Sequence, residues 1–359
     1  MSSKLFTPAK LGMLTLQNHF VMAPMTRSRA IGNIPNSLMA TYYGQRASAG
    51  LIITEGTSPS PNGLGYSRIP GIFSQEQVEG WKLVTTAVHE KGGKIFIQLM
   101  HTGRVSHPLN LPSGAEVLAP SAIKPAGQMW TDQQGMLDYP EPKAMSLEEI
   151  QNAIQEYVKA AKNAIEAGFD GVELHGANGY LIEQFLHPHT NQRTDEYGGT
   201  LEGRAKFTLE VAQKVSDTIG KDKVGIRLSP YGVFNDLPLY NEIDADYTYL
   251  AQQLNAIGIA YIHLVNHESM GAAHVSETVV KAIRENFKNT LILSGGYDKN
   301  RAEEDLEKGH ADLIAFGRPF LANPDLIERF KINADLNEIK YDLFYTPEAV
   351  GYTDYPSLN

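Results

Sequence analysis

The amino-acid sequence predicts an α/β protein, a single (β/α)₈ TIM barrel with an N-terminal hairpin and a long loop insertion after the third strand. Short apolar segments rich in β-branched residues alternate eight times with longer amphipathic segments along the 359 residues. The apolar segments carry few charges, which is typical of parallel strands buried on both faces. No linker or change of composition divides the chain. Eight uninterrupted alternations favour one closed barrel, so we expect one domain over residues 1–359.

Each predicted element has its place in this order. The predicted strands are residues 19–25, 51–57, 94–101, 171–175, 224–230, 260–266, 290–296 and 313–319. The predicted helices are residues 36–49, 75–91, 146–167, 201–219, 244–257, 276–287, 299–308 and 324–332. Ser146 and Glu149 form a capping-box pattern at one helix start, and Asn323 before Pro324 predicts another. A doubly wound sheet is the alternative, but the Gly-Leu-Gly at 63–65 lacks a third glycine and begins no helix.

Two segments lie outside the eight strand–helix units. Residues 5–18, with Gly12 and Met13 between apolar flanks, predict a short hairpin that closes the barrel bottom. Residues 103–143 follow the third predicted strand and are rich in proline, glycine and polar side chains. Because a loop of this length inside a compact domain is usually functional, we expect it to cover the active site.

Composition and charge exclude several classes of function. The chain has 31 Lys plus Arg against 41 Asp plus Glu, a formal net charge of −10 that disfavours broad binding of nucleic acid or anionic membranes. It has no cysteine, which excludes disulfides, thiolate catalysis and cysteine-ligated metals. Residues 1–10 lack a secretory-signal pattern, and no apolar run approaches the roughly 20 residues of a membrane span. We expect a cytoplasmic globular protein.

The last two predicted strands end in glycine-rich sequences. Active sites of such barrels lie at the carboxyl ends of the strands. Gly295-Gly296 and Gly317-Arg318 supply unobstructed backbone amides and a guanidinium there, as a barrel phosphate site requires. The alternative is that the glycines only permit tight turns. The placement favours a phosphorylated ligand.

Polar side chains at other strand ends indicate an inner ring of ligand contacts. The amide of Gln98 both donates and accepts in one plane, Arg227 offers fixed cationic donors, and Thr26 adds a hydroxyl. A buried arginine without an acidic partner is costly, and a ligand with negative charge would relieve that cost. The alternative is that Arg227 pairs with an acid such as Glu55 or Glu173, and the two interpretations are equally supported by the sequence.

A third group follows the fourth predicted strand. His175 and Asn178 are three residues apart on a strand-to-loop turn, where two neutral donors can converge on one carbonyl oxygen and stabilise negative charge on it. Tyr180 is placed to deliver a proton as a general acid. The alternative is a core histidine followed by an ordinary Asn-Gly turn.

Other candidates carry weaker signals. His187-Pro-His189 resembles a metal pair, but no carboxylate pattern accompanies it, so we expect a loop and no metal site. No lysine ends a predicted strand, which disfavours a Schiff-base aldolase. Three further histidines are expected to be structural: His101, His263 and His267. Three loop aromatics are candidates for a pocket wall: Tyr66, Phe234 and Tyr345.

Ordered motifs extend from residue 5 to residue 358. They are APMTR at 23–27, HTGR at 101–104, HGANGY at 175–180, NQRTDEYGG at 191–199, AFGR at 315–318 and GYTDYP at 351–356. Together they resemble the classical branch of the old yellow enzyme family of flavin-dependent ene-reductases. The number and order of these motifs make the resemblance specific.

This resemblance implies that the phosphorylated ligand is FMN, bound without a covalent link. It implies that the flavin ring contacts Pro24, Met25, Thr26 and Gly56, that Gln98 holds the pyrimidine edge, and that Arg227 lies beside N1 and O2. It assigns the phosphate to a set on the last two strands: Gly295, Gly296, Tyr297, Gly317 and Arg318.

The resemblance also implies a reaction. NADPH or NADH reduces the FMN and leaves, and an activated alkene (an enone, enal, maleimide or nitro-compound) takes its place. His175 and Asn178 then bind the activating oxygen, hydride passes from flavin N5, and Tyr180 protonates the α-carbon. Met100 stands where relatives often have a large aromatic residue, which suggests a wider pocket wall. A monomer or homodimer is typical of the family.

Two other classes of function remain at this point. A flavin-independent barrel lyase or isomerase acting on a phosphorylated sugar requires a carboxylate or lysine at the strand ends, and the sequence shows none in that role. A flavin storage or sensing protein requires no alkene site, and His175, Asn178 and Tyr180 together disfavour it.

Overall fold

Eight parallel strands form a closed barrel in the computed structural model, which describes residues 3–358. We number them in chain order: β1 (Phe20–Met22), β2 (Leu51–Thr57), β3 (Ile95–Leu99), β4 (Gly171–Gly176), β5 (Val224–Leu228), β6 (Tyr261–Val265), β7 (Thr290–Ser294) and β8 (Leu313–Phe316). Pairing of Ala315 in β8 with Val21 in β1 closes the ring. The predicted fold class is confirmed, and the doubly wound alternative is wrong. The single-domain prediction also covers residues 1, 2 and 359, which lie outside the described residues.

Helices surround the barrel: α1 (Ser37–Gln45), α2 (Gln75–His89), α3 (Leu147–Glu166), α4 (Leu201–Ile219), α5 (Ile243–Ile257), α6 (Glu277–Asn286), α7 (Lys299–Glu307) and α8 (Leu326–Ile332). Two shorter α-helices, Leu181–Leu186 and Arg318–Ala322, follow β4 and β8 directly. Turns of 3₁₀ helix occur at Lys4–Phe6, Ile31–Asn33, Pro61–Gly63, Pro108–Asn110, Lys221–Lys223, Glu268–Met270 and Tyr341–Leu343. Ser146 and Glu149 form the predicted capping box of α3. Within residues 3–358, no helix is both long enough and apolar enough to cross a membrane.

The last helix starts later than the sequence predicts. Asn323 does not cap α8, because Asn323 ends the preceding short helix and its Nδ2 donates to the Pro319 carbonyl. Its Oδ1 accepts from the Asn337 amide instead of from the first turn of α8. Asp325 occupies the N-cap position of α8. The capping pattern was therefore assigned to the wrong residue, since a tertiary contact takes the Asn323 side chain.

The N-terminal hairpin closes the barrel bottom, as predicted. Its strands are Ala9–Leu11 and Leu14–Leu16. Leu11 and Leu16 are buried against inward-pointing strand residues such as Val21 and Phe96. The barrel therefore opens at its other end, where the strands finish.

The insertion after β3 has structure of its own. Gln128–Thr131 and Gly135–Asp138 form an antiparallel hairpin, and Leu118–Ala119 pairs in parallel with Lys143–Ala144. Met129 and Tyr139 pack from this insertion against Met100 and Tyr180. The insertion thus covers the carboxyl ends of β3 and β4, which agrees with the expected cover over the site.

Barrel register sets which side chains meet at the open end. His175 of β4 is level with Arg227 of β5, and Glu173 is level with Gln98 of β3. An irregularity in β2 between Ile53 and Gly56 shifts its pairing with β3. These pairings bring the predicted polar ring to one level of the barrel.

Candidate active site

A cavity of about 520 Å³ opens at the carboxyl ends of the barrel strands. Every sequence-predicted site residue except Tyr66 lines it. These residues are Pro24, Met25, Thr26, Gly56, Gln98, Met100, His175, Asn178, Tyr180, Arg227, Phe234, Gly295, Gly296, Tyr297, Gly317, Arg318 and Tyr345. Residues predicted from distant parts of the chain therefore share one surface.

Arg227 lies buried in the cavity wall without an acidic partner among the described residues. Glu173, one of the two acids proposed for it, accepts hydrogen bonds from Gln98 Nε2 at 2.8 Å, His263 Nδ1 at 2.9 Å and Tyr261 at 3.0 Å. Arg227 Nε is buried with no hydrogen-bond partner in residues 3–358. Burial lowers the pKa of Arg227, and the charge of nearby Glu173 raises it only in part.

Glu55, the other proposed partner of Arg227, is engaged elsewhere. It accepts from the Tyr43 hydroxyl at 3.2 Å and from the Arg27 backbone amide at 3.3 Å. Burial raises the pKa of Glu55 to about 7. Arg227 therefore has no ion-pair partner among the described residues and is only partly compensated by nearby Glu173, so this wall suits an anionic or electron-accepting ligand edge.

Two glycines in the cavity wall lie so close to neighbouring protein atoms that a side chain would not fit. A Cβ at Gly56 would collide with the Met100 sulfur in the cavity wall. Gly295 has φ +122°, and a Cβ there would collide with the Asn266 carbonyl oxygen. Arg318 follows Gly317 on the same side of the cavity. Exposed amides beside a guanidinium suit a phosphate group.

His175 is held as a neutral hydrogen-bond donor. Its Nδ1 accepts from the Ala177 backbone amide at 3.3 Å, so the ring hydrogen lies on Nε2. Burial, followed by the charge of Arg227, lowers the pKa of His175 well below its usual value. A neutral Nε2–H in the cavity wall polarises a carbonyl or nitro oxygen without carrying a charge.

Asn178 lies in a left-handed turn that presents its side chain to the cavity. Its φ is +61°. Its backbone amide donates to Ser229 Oγ at 2.9 Å, and its backbone carbonyl accepts from Asn235 Nδ2 at 2.7 Å. Its Oδ1 is buried and has no partner in the described part of the chain. The backbone is thus anchored on both sides while the side-chain amide remains available to a ligand.

Glu183, a residue that the sequence did not indicate, fixes this turn from below. Its carboxylate accepts from the Gly179 amide at 2.6 Å, from Ser229 Oγ at 2.8 Å and from the Tyr247 hydroxyl at 2.7 Å. Burial raises the pKa of Glu183 to about 7. Its position on the helix Leu181–Leu186, one turn after the Asn178–Gly179 pair, is the only sequence signal for it.

Tyr180 lines the cavity next to His175, with ring centroids 4.9 Å apart. Burial raises the pKa of Tyr180 to about 12, so its hydroxyl carries a proton at neutral pH. The Tyr66 hydroxyl lies 3.0 Å from the Tyr180 hydroxyl. Tyr66 therefore does not line the cavity itself but contacts Tyr180, the predicted general acid.

The chain has close relatives of known structure and name. Residues 4–337 match the model of the NADH:flavin oxidoreductase / NADH oxidase family. 12-Oxophytodienoate reductase 1 of Oryza sativa subsp. japonica is 44% identical over 99% of this chain and 93% of the relative. 12-Oxophytodienoate reductase 2 of Arabidopsis thaliana is 42% identical, with 99% and 96% covered.

Two solved structures have the same fold at similar identity. A morphinone reductase structure has a TM-score of 0.96 at 46% identity, covering 100% of this chain and 97% of the other. The old yellow enzyme homologue from Zymomonas mobilis has a TM-score of 0.95 at 41% identity, with 99% and 100% covered. The chain belongs to the NADH:flavin oxidoreductase / NADH oxidase family.

The protein described by this sequence is therefore an NAD(P)H-dependent flavin oxidoreductase of the old yellow enzyme class, which reduces activated alkenes. The resemblance seen in the sequence is thereby confirmed. The two other classes considered, a flavin-independent lyase or isomerase and a storage or sensing protein, are wrong.

Loops after the barrel strands complete the cavity of this family member. Phe234, from the loop after β5, contacts His267 from the loop after β6, with ring centroids 4.4 Å apart. Burial, followed by the charge of Arg227, lowers the pKa of His267 to about 4, and its Nδ1 has no partner among residues 3–358. His267 was expected to be structural, but it lines the cavity. Its loop position gave no periodic signal.

The other histidines lie outside the cavity wall. His263 bridges Glu173 and Ser294, and His187 Nε2 lies 2.8 Å from the Pro238 carbonyl oxygen. His101 Nδ1 accepts from the Gly103 amide at 3.1 Å. No group of three or more potential metal ligands occurs within residues 3–358.

The C-terminal segment is bound to the cavity by two buried arginines. Arg27 Nη2 donates to the Gly351 carbonyl at 2.7 Å, and Arg27 Nε donates to the Phe344 carbonyl at 3.1 Å. Arg29 Nη1 donates to the same Phe344 carbonyl at 2.5 Å. Phe344 and Tyr345 line the cavity, so this segment supplies part of its wall.

Proposed function

We propose that the protein binds FMN without a covalent link and uses NADPH or NADH to reduce enones, enals, maleimides and nitro-compounds at the C=C bond. Bound FMN supplies hydride transfer. The relatives are named for reduction of 12-oxophytodienoate and morphinone, and one solved structure is of morphinone reductase in complex with tetrahydroNAD. These names support an enone substrate and a nicotinamide reductant.

The described residues fit FMN. Arg227 offers a buried guanidinium whose Nε has no partner among the described residues, as an electron-rich pyrimidine edge requires. Gln98 is oriented by its hydrogen bond to Glu173 and would present its amide to the same edge. Pro24, Met25, Thr26 and Gly56 would face the ring. The phosphate would be held by the five residues Gly295, Gly296, Tyr297, Gly317 and Arg318.

Residues of β4 and the turn after it bind and activate the alkene. The neutral His175 Nε2–H and the Asn178 amide donate to the activating oxygen and stabilise the charge that develops there. Tyr180 transfers its phenolic proton to the α-carbon. These groups are held before substrate arrives, since Glu183 and Ser229 fix the turn.

One observation carries the proposal: an Arg227 without an ion-pair partner among the described residues, a neutral His175 and a protonated Tyr180 line a single cavity. The test is a visible spectrum of the purified protein under anaerobic conditions. A flavin band should bleach on addition of NADPH and return on addition of 2-cyclohexenone. Absence of a flavin band, even with added FMN, would overturn the proposal. Bleaching without recovery by several alkenes would remove the alkene-reducing part.

The monomer or homodimer, the cytoplasmic location and the organisation of residues 1–359 as one FMN-binding domain stay predictions from the sequence. Size-exclusion chromatography with light scattering measures the first. Limited proteolysis with and without FMN tests the third, because one cooperative domain should be protected as a whole.

A further inference from the structure

The Tyr66 hydroxyl contacts the hydroxyl of Tyr180 although Tyr66 lies in a loop outside the cavity wall. Tyr66 lies between β2 and α2, is partly exposed, and does not line the cavity. Its hydroxyl is 3.0 Å from that of Tyr180, and the two rings meet edge to face at 6.2 Å and 87°. In this geometry Tyr66 contacts Tyr180 and not a substrate in the cavity.

Proton transfer from Tyr180 creates a buried negative charge. Tyr180 is 9% exposed, and a phenolate at such a position needs a hydrogen-bond donor to replace water. His175 lies edge to face with its ring and makes no hydrogen bond to it within residues 3–358. Among the described residues, the Tyr66 hydroxyl lies within hydrogen-bond distance of the Tyr180 hydroxyl, and the Asn235 side chain is near enough to lower the pKa of both phenols.

We propose that Tyr66 is a positioning residue that donates its hydroxyl hydrogen to the Tyr180 oxygen as Tyr180 gives up its proton to the alkene. This inference rests on the proposed function. The O–H bond of Tyr180 breaks, a C–H bond forms at the α-carbon, and the negative charge of the enolate passes to the Tyr180 oxygen. A water molecule that enters when the product leaves returns a proton to that oxygen, and hydroxide departs to solvent.

The local electrostatics agree with this direction of donation. The hydrogen bond from Tyr66 lowers the pKa of Tyr180, against the larger effect of burial. Burial and the neighbouring Tyr180 raise the pKa of Tyr66 well above its usual value. Tyr66 therefore keeps its own proton and acts as a donor throughout the step.

The test is Tyr66→Phe, which keeps the ring and removes the hydroxyl. Prereduced enzyme is mixed with either 2-cyclohexenone or 1-nitrocyclohexene in a stopped-flow instrument. A nitronate is a far more stable anion than an enolate, so hydride transfer to the nitroalkene does not depend on a strong proton donor. We expect flavin reoxidation by the enone to slow about 10- to 100-fold, the value of a hydrogen bond to a charged group, with the nitroalkene rate within about twofold.

Two control variants separate this role from a structural one. Tyr139→Phe removes a hydroxyl from the same buried cluster that makes no hydrogen bond to Tyr66 or Tyr180 in the described residues, and it should leave both rates unchanged. In a Tyr180→Phe background, Tyr66→Phe should cause no further loss with the enone, because its effect passes through the Tyr180 oxygen.

The outcomes distinguish this inference from the proposed function. Equal losses with both alkenes, or an additive loss in the Tyr180→Phe background, would overturn the role of Tyr66. Unchanged enone reoxidation in Tyr66→Phe would do the same. If wild-type enzyme is not reoxidised by either alkene, the proposed function itself fails.

Discussion

The cavity has two sides of different construction. The strand wall is held by barrel register and, at Gln98, by a buried hydrogen bond to Glu173. It is formed by Gln98, His175, Arg227 and their neighbours at the strand ends. The roof, formed by Phe234, His267, Met270, Phe344 and Tyr345, comes from loops, and Met270 and Tyr345 are 50% and 60% exposed. A rigid wall suits a resident cofactor, whereas a roof of separate loops suits ligands that must enter and leave.

The loop that carries Phe234 shows how the roof is held. Tyr231, Asn235 and Asp236 all have positive φ, an uncommon and costly backbone conformation for residues other than glycine. Arg104 Nη2 donates to the carbonyls of Asn235 and Asp236 at 3.0 and 2.7 Å. One buried side chain from the insertion, Arg104, thus holds this loop, whereas backbone pairing between neighbouring strands holds the strand wall.

The largest effect is expected at the point where wall and roof meet over the substrate. Tyr180→Phe should slow flavin reoxidation by 2-cyclohexenone by about 10²- to 10⁴-fold, because general acid catalysis contributes that much. Flavin reduction by NADPH requires no proton from Tyr180 and should stay within about twofold. Stopped-flow measurement of both half-reactions checks this. Equal losses in both would remove the proton-donor role.

Arg227→Met tests the strand wall by itself. Loss of a charged donor should weaken FMN binding about 10- to 100-fold. The apoprotein should melt at the same or a higher temperature than wild-type apoprotein, since the burial cost of this charge exceeds its attraction to Glu173. Flavin titration and thermal unfolding, each on apoprotein, give the two values. A destabilised apoprotein would mean that Arg227 has a structural partner.

Arg104→Met tests the roof by itself. Freeing the Asn235 and Asp236 carbonyls should let the Phe234 loop move, and KM for alkenes should rise about three- to tenfold, as for one or two neutral hydrogen bonds. FMN affinity should remain within about twofold. A matching fall in FMN affinity would contradict the separation of wall and roof.

The smallest effect concerns pH and the carboxylate beneath the Asn178 turn. Burial raises the pKa of Glu183 to about 7 from 4.5, so the folded protein binds this proton more tightly than the unfolded chain does. Its contribution to stability therefore decreases as pH rises from about 4.5 to about 7. Buried histidines such as His175 act oppositely, because their folded pKa is lowered.

Glu183→Gln isolates this contribution. The stability of wild type relative to the variant should fall between pH 5 and 7 and become constant above pH 7, as measured by thermal unfolding across that range. A relative stability that does not vary with pH would show that Glu183 titrates at its ordinary value in the folded protein.

The same division into wall and roof explains what the sequence could predict. Gln98, His175 and Arg227 end apolar strands, and strand periodicity places such residues at the open end of a barrel without knowledge of their contacts. Glu173 was recognised as a possible acidic partner of Arg227, but its three hydrogen-bond partners come from two strands, β3 and β6, and depend on register.

Contacts made by loops and short helices could not be predicted in this way. His267 lines the cavity because the loop after β6 turns back toward Phe234, and nothing in its local sequence encodes that direction. Tyr66 was interpreted as a pocket wall, whereas the structure places its hydroxyl against Tyr180. Asn323 has the right residue type for a helix start, but contacts with Pro319 and Asn337 decide its role.

The pairing of Arg27 and Arg29 with carbonyls of Phe344 and Gly351 has a consequence for synthesis of the chain. Two guanidinium groups next to the first barrel strand find their acceptors more than 300 positions later in sequence. Until residue 351 has left the ribosome, both arginines lack these acceptors and keep their water, and Phe344 and Tyr345 are not yet held over the cavity. A nascent chain can therefore form the strand wall before it acquires the part of the roof that Phe344 and Tyr345 supply.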